Sequence, residues 1–505
     1  MSAFGRNSLG QRFCGLASSV RTNTVWGSKV HSVRDFEDIP AAKSLPIFGT
    51  TFDLIAAGSA PQLHKYIDKR HKQLGQIFRE RLGPISAVFV SSPILMRNVF
   101  LYEGQHPTHP LPESWALYNK KKKCRRGLFF MDGEEWLQNR RIMNKILLTS
   151  HCDWMKPHID RATQKLIDKW FDLIDENPQG IAQVPQLEEM MYKWAIDVIA
   201  NLMFGDPYKN ISKELEATVD AFSEEVHKIF ESSSKLMTFP PKIAEFLQLK
   251  IWTDFEKSVD EVLEMGRRII DMGMSEMSHG NGMLTMMKES NMSLEDIKRI
   301  FIDLIIAAGD TTAFSAQWAL YLISTHNEIQ ERMRSEIVSL STNTESPYLR
   351  GLIRETLRLY PVAPFIGRFL ATDAVLGNYK INKNTLILLS LYTSGRDSES
   401  FPQPLDVRPE RWLRNENREL CGVLQAHGTL PFAIGSRSCI GRKIALLQMH
   451  SLLKAVVQNF ELKCLNNQQI DIVLRLVAVP DKKVQLGICP AMEQKEILKK
   501  KETAV

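Results

Sequence analysis

The chain has 505 residues, of which 44% are hydrophobic and 24% charged, the composition of a well-cored globule and not of a disordered or low-complexity chain. Its seven cysteines are scattered, odd in number and without a C-x-x-C spacing, which argues against a disulfide framework or a zinc site. The formal charge of +6 sits at the start: residues 1–34 hold Arg6, Arg12, Arg21, Lys29 and Arg34 and no acid. The remainder carries about +1, so no global basic field speaks for nucleic-acid binding.

That opening stretch also has six serines and no apolar run long enough to span a bilayer. It matches an organellar transit peptide over residues 1–34 better than a secretory signal, leaving 35–505 as one folded unit. Residues 79–90 alternate apolar and polar around Gly83-Pro84, which predicts a short hairpin. Residues 106–126, rich in Pro and polar side chains, predict a loop ending in the basic run Lys120 to Arg126, read as a solvated face. Asp132-Gly133-Glu134-Glu135-Trp136 opens a helix with its acids in the first turn, where the helix dipole favours them. Trp136 and Arg140, four apart, share one face of it. Residues 160–275 read as largely helical, with breaks near Ser232-Ser233-Ser234 and at Pro240-Pro241. Such a bent helix pair suits a mobile roof over an apolar pocket.

Ser293-Leu294-Glu295-Asp296 is a capping-box pattern, and a long helix follows to about Thr325. Asp303 and Asp310 argue against a membrane span, so it reads as a central buried helix. In its middle, Ala307-Ala308-Gly309-Asp310-Thr311-Thr312 brings together individually poor helix formers. A local rule broken inside an otherwise good helix often marks function. Small residues let a flat group lie against the helix, and the Thr311 hydroxyl can open a turn to water. A helix over residues 350–360 follows, with Glu355 and Arg358 on one face, able to pair and to recruit a third group such as Arg411. Phe365 and Ile366 read as extended pocket wall. Residues 375–391 have strand character with a turn at Gly377-Asn378, residues 444–460 form a helix, and residues 473–486 form a closing hairpin around Pro480-Asp481.

The densest chemistry lies at Phe432-Ala433-Ile434-Gly435-Ser436-Arg437-Ser438-Cys439-Ile440-Gly441-Arg442. It predicts a tight loop that delivers one cysteine to a helix entrance, where backbone amides lower the thiol pKa toward a thiolate. Gly435 allows the backbone close to a flat cofactor, and Arg437 offers a fork for a carboxylate. Thiolate, carboxylate clamp and the Phe432 rim suit a haem held by iron–sulfur ligation.

The F-x-x-G-x-R-x-C-x-G pattern resembles the haem-binding loop of the cytochrome P450 superfamily, and residues 40–490 carry four more of its motifs in order. The resemblance implies a mainly α fold with small β-sheets, with haem b between the long central helix and the cysteine loop. It implies Cys439 as the axial iron ligand and Trp136, Arg140, Arg368 and Arg437 as partners of the haem propionates. Asp310 and Thr311 resemble the acid–alcohol pair of oxygen activation, although Ala308 stands where the family usually has Gly. Glu355, Arg358 and Arg411 resemble its buried structural triad, with Trp412 in place of the more frequent Phe. Ala307, Phe365 and Ile366 would line the substrate pocket.

The implied reaction inserts one oxygen atom of dioxygen into a C–H bond. With no flavin or nicotinamide fingerprint, electrons must come from another protein. Arg350, Arg354, Arg442 and Lys443 resemble the face that mitochondrial members present to an acidic ferredoxin, itself served by an NADPH-dependent reductase. The mitochondrial clan also implies peripheral attachment to the matrix side of the inner membrane. Residues 306–315, 360–368 and 236–241 are similar to insect ecdysteroid 2-hydroxylases, which implies 2-hydroxylation of 2-deoxyecdysone. Three alternatives stand beside this: hydroxylation of another sterol position or of a xenobiotic, a haem-thiolate isomerase needing no dioxygen, and a non-catalytic haem sensor.

Overall fold

The computed structural model describes residues 32–150, 153–177, 180–237, 239–276, 280–340, 345–425 and 427–491. The sequence alternation at its start becomes a hairpin of β1 (Ile77–Leu82) and β2 (Ile85–Val90), turned at Gly83 with φ +59. β3 (Phe365–Phe369) and β4 (Leu386–Ser390) complete this sheet, with order β1-β2-β4-β3; β4 runs parallel to β2 and antiparallel to β3. Side chains alternate across a strand, so Phe365 and Ile366 diverge. Phe365 meets Phe89 edge-on at 6.3 Å, while Ile366 joins the cluster that holds Leu389, Leu430 and Ile434. The two residues expected as one pocket wall therefore face opposite sides of the sheet.

The rest is helical. α1 (Gly133–Leu147) and α2 (Met155–Asp175) precede α3 (Leu187–Phe204), α4 (Lys213–Leu236) and α5 (Lys250–Glu276), which pack on α6 (Leu294–Thr325), the predicted central helix. Ser293 caps α6 by accepting from the Asp296 N–H at 3.1 Å. From Ile297 to Ile323 it is apolar nearly all round and buried nearly all round, as a core helix must be. Asp303 is buried at the same level, and Arg126 answers it through Nε at 3.0 Å and Nη2 at 2.6 Å, with the Gly127 N–H as a third donor. The Arg126 guanidinium lies against the stacked rings of Trp115 and Phe130, at 4.9 and 4.6 Å. The segment around residue 126 is thus clamped to the central helix.

Four expectations need correction. The predicted loop over 106–126 contains a helix, Glu113–Lys122, because Trp115 and Tyr118 bury into the core. The basic run is consequently drawn toward the protein's own acids: Lys121 pairs with Glu245 and Glu256, and Lys122 with Glu256 and Asp260. Ser232-Ser233-Ser234 does not break α4: the Ser232 hydroxyl folds back onto Lys228 O, and Ser233 accepts from Trp115 Nε1 at 3.0 Å. The late hairpin turns at Leu476 (φ +63), joining Ile472–Arg475 to Val477–Pro480, while Leu486–Pro490 pairs with Phe460–Cys464. Most of the predicted leader lies outside the described residues; Arg34 already belongs to the body, donating its N–H to Asn378 O at 2.7 Å and covering Tyr379.

Candidate haem site

The cysteine loop is closed by its own backbone before α8 (Arg442–Asn459) begins, after α7 (Pro347–Leu359) has crossed the core. Cys439 N–H donates to Phe432 O at 2.8 Å and Ser438 N–H to Gly435 O at 3.2 Å. Gly435 has φ +83, and a Cβ there would run into the Glu103 carboxylate. Its glycine is therefore required by the turn and by Glu103, a different reason from close approach to a cofactor. Glu103 is buried and accepts from Ser436 N–H at 2.8 Å and Arg368 Nε at 3.0 Å, tying the loop to β3.

The Cys439 side chain has exposed area, yet protein encloses it on most sides, so that area opens within the fold. Burial pushes its thiol pKa up; the Gly441 N–H and the charges of Arg140 and Arg442 pull it down and lose. The expected lowering by amides alone is thus reversed. A thiolate here calls for a metal, which deprotonates a coordinating thiol outright.

Cationic donors converge next to the loop. Arg140 donates to Ser438 O at 2.5 Å, and its Nε is buried without a partner. Arg437 lies over Trp136 at 4.4 Å, bonds Asp132 Oδ1 and Met131 O at 2.6 Å each, and also has an orphaned Nε. Burial, with help from Arg368 and Arg140, lowers its pKa to about 10 despite Asp132. Buried, under-neutralised guanidiniums beside a cysteine want carboxylates. The residues present fit a haem: Cys439 would hold its iron and Arg140 and Arg437 its propionates, with Arg368, already paired to Glu103, beside them.

Between Ile297 and Ile323 of α6 the exposed positions are Ala307 and Thr311, one turn apart, in a stretch otherwise largely buried. The Thr311 hydroxyl donates to Ala307 O at 2.8 Å, and the helix stays regular there. Asp310 faces elsewhere: it is 2% exposed and accepts from Tyr192 of α3. Burial raises its carboxyl pKa well above the ordinary value, with the Glu188 charge adding to the rise and the Tyr192 hydrogen bond opposing it.

The triad beneath the site is complete. Glu355 receives Arg358 through Nε at 2.9 Å and Nη2 at 2.7 Å, and Arg411 Nε at 2.9 Å. It also receives Arg408 N–H at 3.0 Å and Trp412 Nε1 at 2.8 Å. Trp412 is therefore more than an aromatic exchange, since Phe could not donate. Trp412→Phe is expected to cost about 1.5–3 kcal/mol, the worth of a hydrogen bond to a charged group, measured as a lower urea midpoint.

Of the expected docking residues, Arg350, Arg354 and Arg442 are exposed, and Arg350 lies 3.4 Å from Glu345. Lys443 instead donates to Thr149 O. Glu103, Tyr192, Asp132 and the Arg126–Asp303 pair were not legible as site residues, because each acts through a partner far away in the chain.

A single cysteine on a tight loop, buried guanidiniums beside it and a long helix with a small-residue step define a haem-thiolate protein. The family profile described as Cytochrome P450 matches residues 39–488, and the chain belongs to that family of monooxygenases. It is 50% identical over 470 residues to "Cytochrome P450 315a1, mitochondrial" of Drosophila melanogaster, covering 90% of this chain and 89% of that one. It is 26% identical to the mitochondrial 1,25-dihydroxyvitamin D(3) 24-hydroxylase of Rattus norvegicus, covering 90% of each chain. It is also 26% identical to the mitochondrial cholesterol side-chain cleavage enzyme of Oncorhynchus mykiss, covering 96% and 98%. The retinoic-acid-bound cyanobacterial CYP120A1 superposes with a TM-score of 0.72 at 21% identity, over 90% of this chain and 99% of that one, which speaks for the fold alone.

Proposed function

We propose that the chain is a mitochondrial steroid hydroxylase that uses haem b to hydroxylate carbon 2 of 2-deoxyecdysone. The carrying observation is the 50% identity, over about nine-tenths of both chains, with the Drosophila mitochondrial relative. The likeness of residues 306–315 and 360–368 to insect ecdysteroid 2-hydroxylases supports the substrate. The acid-free basic stretch over 1–34 and the mitochondrial names of the relatives support the compartment.

Bound haem supplies dioxygen activation and oxygen insertion into the substrate C–H bond. Cys439 would ligate its iron, while Arg140, Arg437 and Arg368 would hold its carboxylates. Ala307 would leave room for substrate against the helix, and the Thr311 hydroxyl would position water and pass protons, with Asp310 as the acid behind it.

Among the described residues no helix is long and apolar enough to cross a membrane. Exposed Ile47, Phe48 and Phe52, and exposed Ile243, Phe246 and Leu247, favour peripheral attachment to the matrix side of the inner membrane. Electrons come from a mitochondrial ferredoxin and its NADPH-dependent reductase, with Arg350, Arg354 and Arg442 as the steering face. Reversing both Arg350 and Arg354 to Glu is expected to slow ferredoxin association on the order of tenfold at low salt, with less effect as salt rises. Surface plasmon resonance across a salt series reads this; a flat response removes the face.

The testing experiment reconstitutes the protein with that ferredoxin and reductase, supplies 2-deoxyecdysone, and locates the product by mass spectrometry and NMR. Hydroxylation at carbon 2 is expected. Hydroxylation at another carbon, or turnover only of other sterols or xenobiotics, overturns the substrate. Haem binding with no dioxygen-dependent product on any of them would favour an isomerase or a sensor.

A further inference from the structure

We propose that Tyr192 is a positioning residue for the proton chemistry of this site: its hydroxyl, reaching from α3 to Asp310, sets where that carboxyl points and how readily it gives up its proton. The inference rests on the reading of Asp310 and Thr311 as the acid–alcohol pair.

Thr311 and Ala307 form the open face of α6, whereas Asp310, about 100° round the helix from Thr311, is sealed from solvent. The hydroxyl of Tyr192, a residue itself only 3% exposed, donates to Asp310 Oδ1. Gly309 makes this approach possible. A Cβ at that position would sit 2.9 Å from Tyr192 Cε1, so the ring occupies the space a side chain would need. The Ala308-Gly309 order, unusual beside the family pattern, thereby acquires a local cause: the glycine is spent on Tyr192.

Outside Tyr192 the environment turns polar. The His227 ring of α4 lies edge-on at 5.3 Å, and His227 Nε2 is 3.8 Å from Glu188 Oε1 of α3, both residues partly exposed. Tyr192 thus stands between the partly exposed Glu188–His227 pair and a buried acid. Burial and the Glu188 charge favour the protonated carboxyl; the Tyr192 hydrogen bond is the opposing influence. Without it, Asp310 becomes a weaker acid with a looser orientation, and the Thr311 side receives its proton more slowly.

The test compares Tyr192→Phe, Gly309→Ala, Asp310→Asn and Thr311→Ala with the wild type. The first readout needs no turnover: the infrared carbonyl band of the protonated Asp310, assigned in ¹³C-aspartate-labelled protein by its loss in Asp310→Asn. Tyr192→Phe, which keeps the ring, is expected to shift that band to higher frequency. Gly309→Ala, whose methyl would crowd the buried ring, is expected to do the same, its gain in helix propensity offset by overpacking so that thermal stability falls modestly. The second readout is hydrogen peroxide released per hydroxylated product, expected to rise severalfold in both variants while substrate affinity, read by optical titration, stays within twofold.

An unshifted band in Tyr192→Phe overturns the inference. So does a shifted band with unchanged peroxide release, which would make Tyr192 merely structural. If Thr311→Ala itself leaves peroxide release unchanged, the underlying acid–alcohol reading fails, and the inference with it. If Thr311→Ala uncouples and Tyr192→Phe does not, Tyr192 alone is wrong.

Discussion

Glu355→Ala is expected to yield little or no folded, haem-loaded protein. Glu355 is fully buried, and its two oxygens take five donor contacts from Arg358, Arg411, Arg408 N–H and Trp412. Truncating it strands two guanidiniums whose side chains are 0% and 1% exposed. Breaking one buried pair by removing a partner typically costs about 3–5 kcal/mol; here two cations lose their counter-charge together. A protein of ordinary stability has only about 5–15 kcal/mol in hand. The remaining contacts of the arginines, to the carbonyls of Gly395, Pro404, Pro402 and Gln403, hold the stretch leading toward the cysteine loop. Haem retention should therefore fall with the fold. Soluble yield, haem content and urea unfolding of the variant measure this. A urea midpoint close to wild type would sink the claim.

The same carboxylate makes stability depend on acid. Burial pushes the Glu355 pKa up, but Arg358, the Arg408 amide and Trp412 outweigh it, and the net shift is down. A depressed folded pKa contributes stability that is fully present above the unfolded carboxylate value, about 4.3, and is lost as pH falls through the folded value. Glu355→Gln should flatten that part of the acid-unfolding curve while lowering stability at neutral pH.

The features legible in the sequence are those whose partners lie within one helix turn or one loop. Ser293 and Asp296 mark the start of the central helix because a cap is a three-residue device. Glu355 and Arg358 share a helix face for the same reason. What failed was context. Glu113–Lys122 was hidden by the prolines before it and by its own lysines, because the burial of Trp115 and Tyr118 is decided by distant helices. Three serines read as a break, yet Ser233 is paid for by Trp115, more than a hundred residues away. Asp303 served only as an argument against a membrane span, since nothing local announces Arg126 as its counter-ion. Asp310 and Thr311 are neighbours in sequence and were read together, whereas the helix turns them to different faces. The local devices, caps and helix-face pairs, were therefore readable in advance, and the distant polar partners that orient the candidate site were not.

Cys439→Ser is expected to abolish hydroxylation while leaving the fold in place. The loop does not depend on sulfur: Cys439 is held by its own N–H to Phe432 O, and Gly435, Glu103 and Ser436 lock the turn beside it. Serine fits the same space and keeps those bonds, so the unfolding midpoint of haem-free protein should match wild type. The chemistry depends wholly on the sulfur, since only a thiolate pushes electron density onto the iron in the way that favours O–O cleavage. Burial raises this thiol's pKa, and a serine hydroxyl ionises far less readily still. The red-shifted carbon monoxide band that marks thiolate-bound haem should disappear, and product formation should fall on the order of 10³-fold or more, equivalent to about 4 kcal/mol of barrier. Both readouts are taken from one reconstituted sample, beside the melting curve of the haem-free protein. A retained band would mean that another residue ligates the iron. A lost band with full hydroxylation would mean that the reaction does not run through the Cys439 site at all.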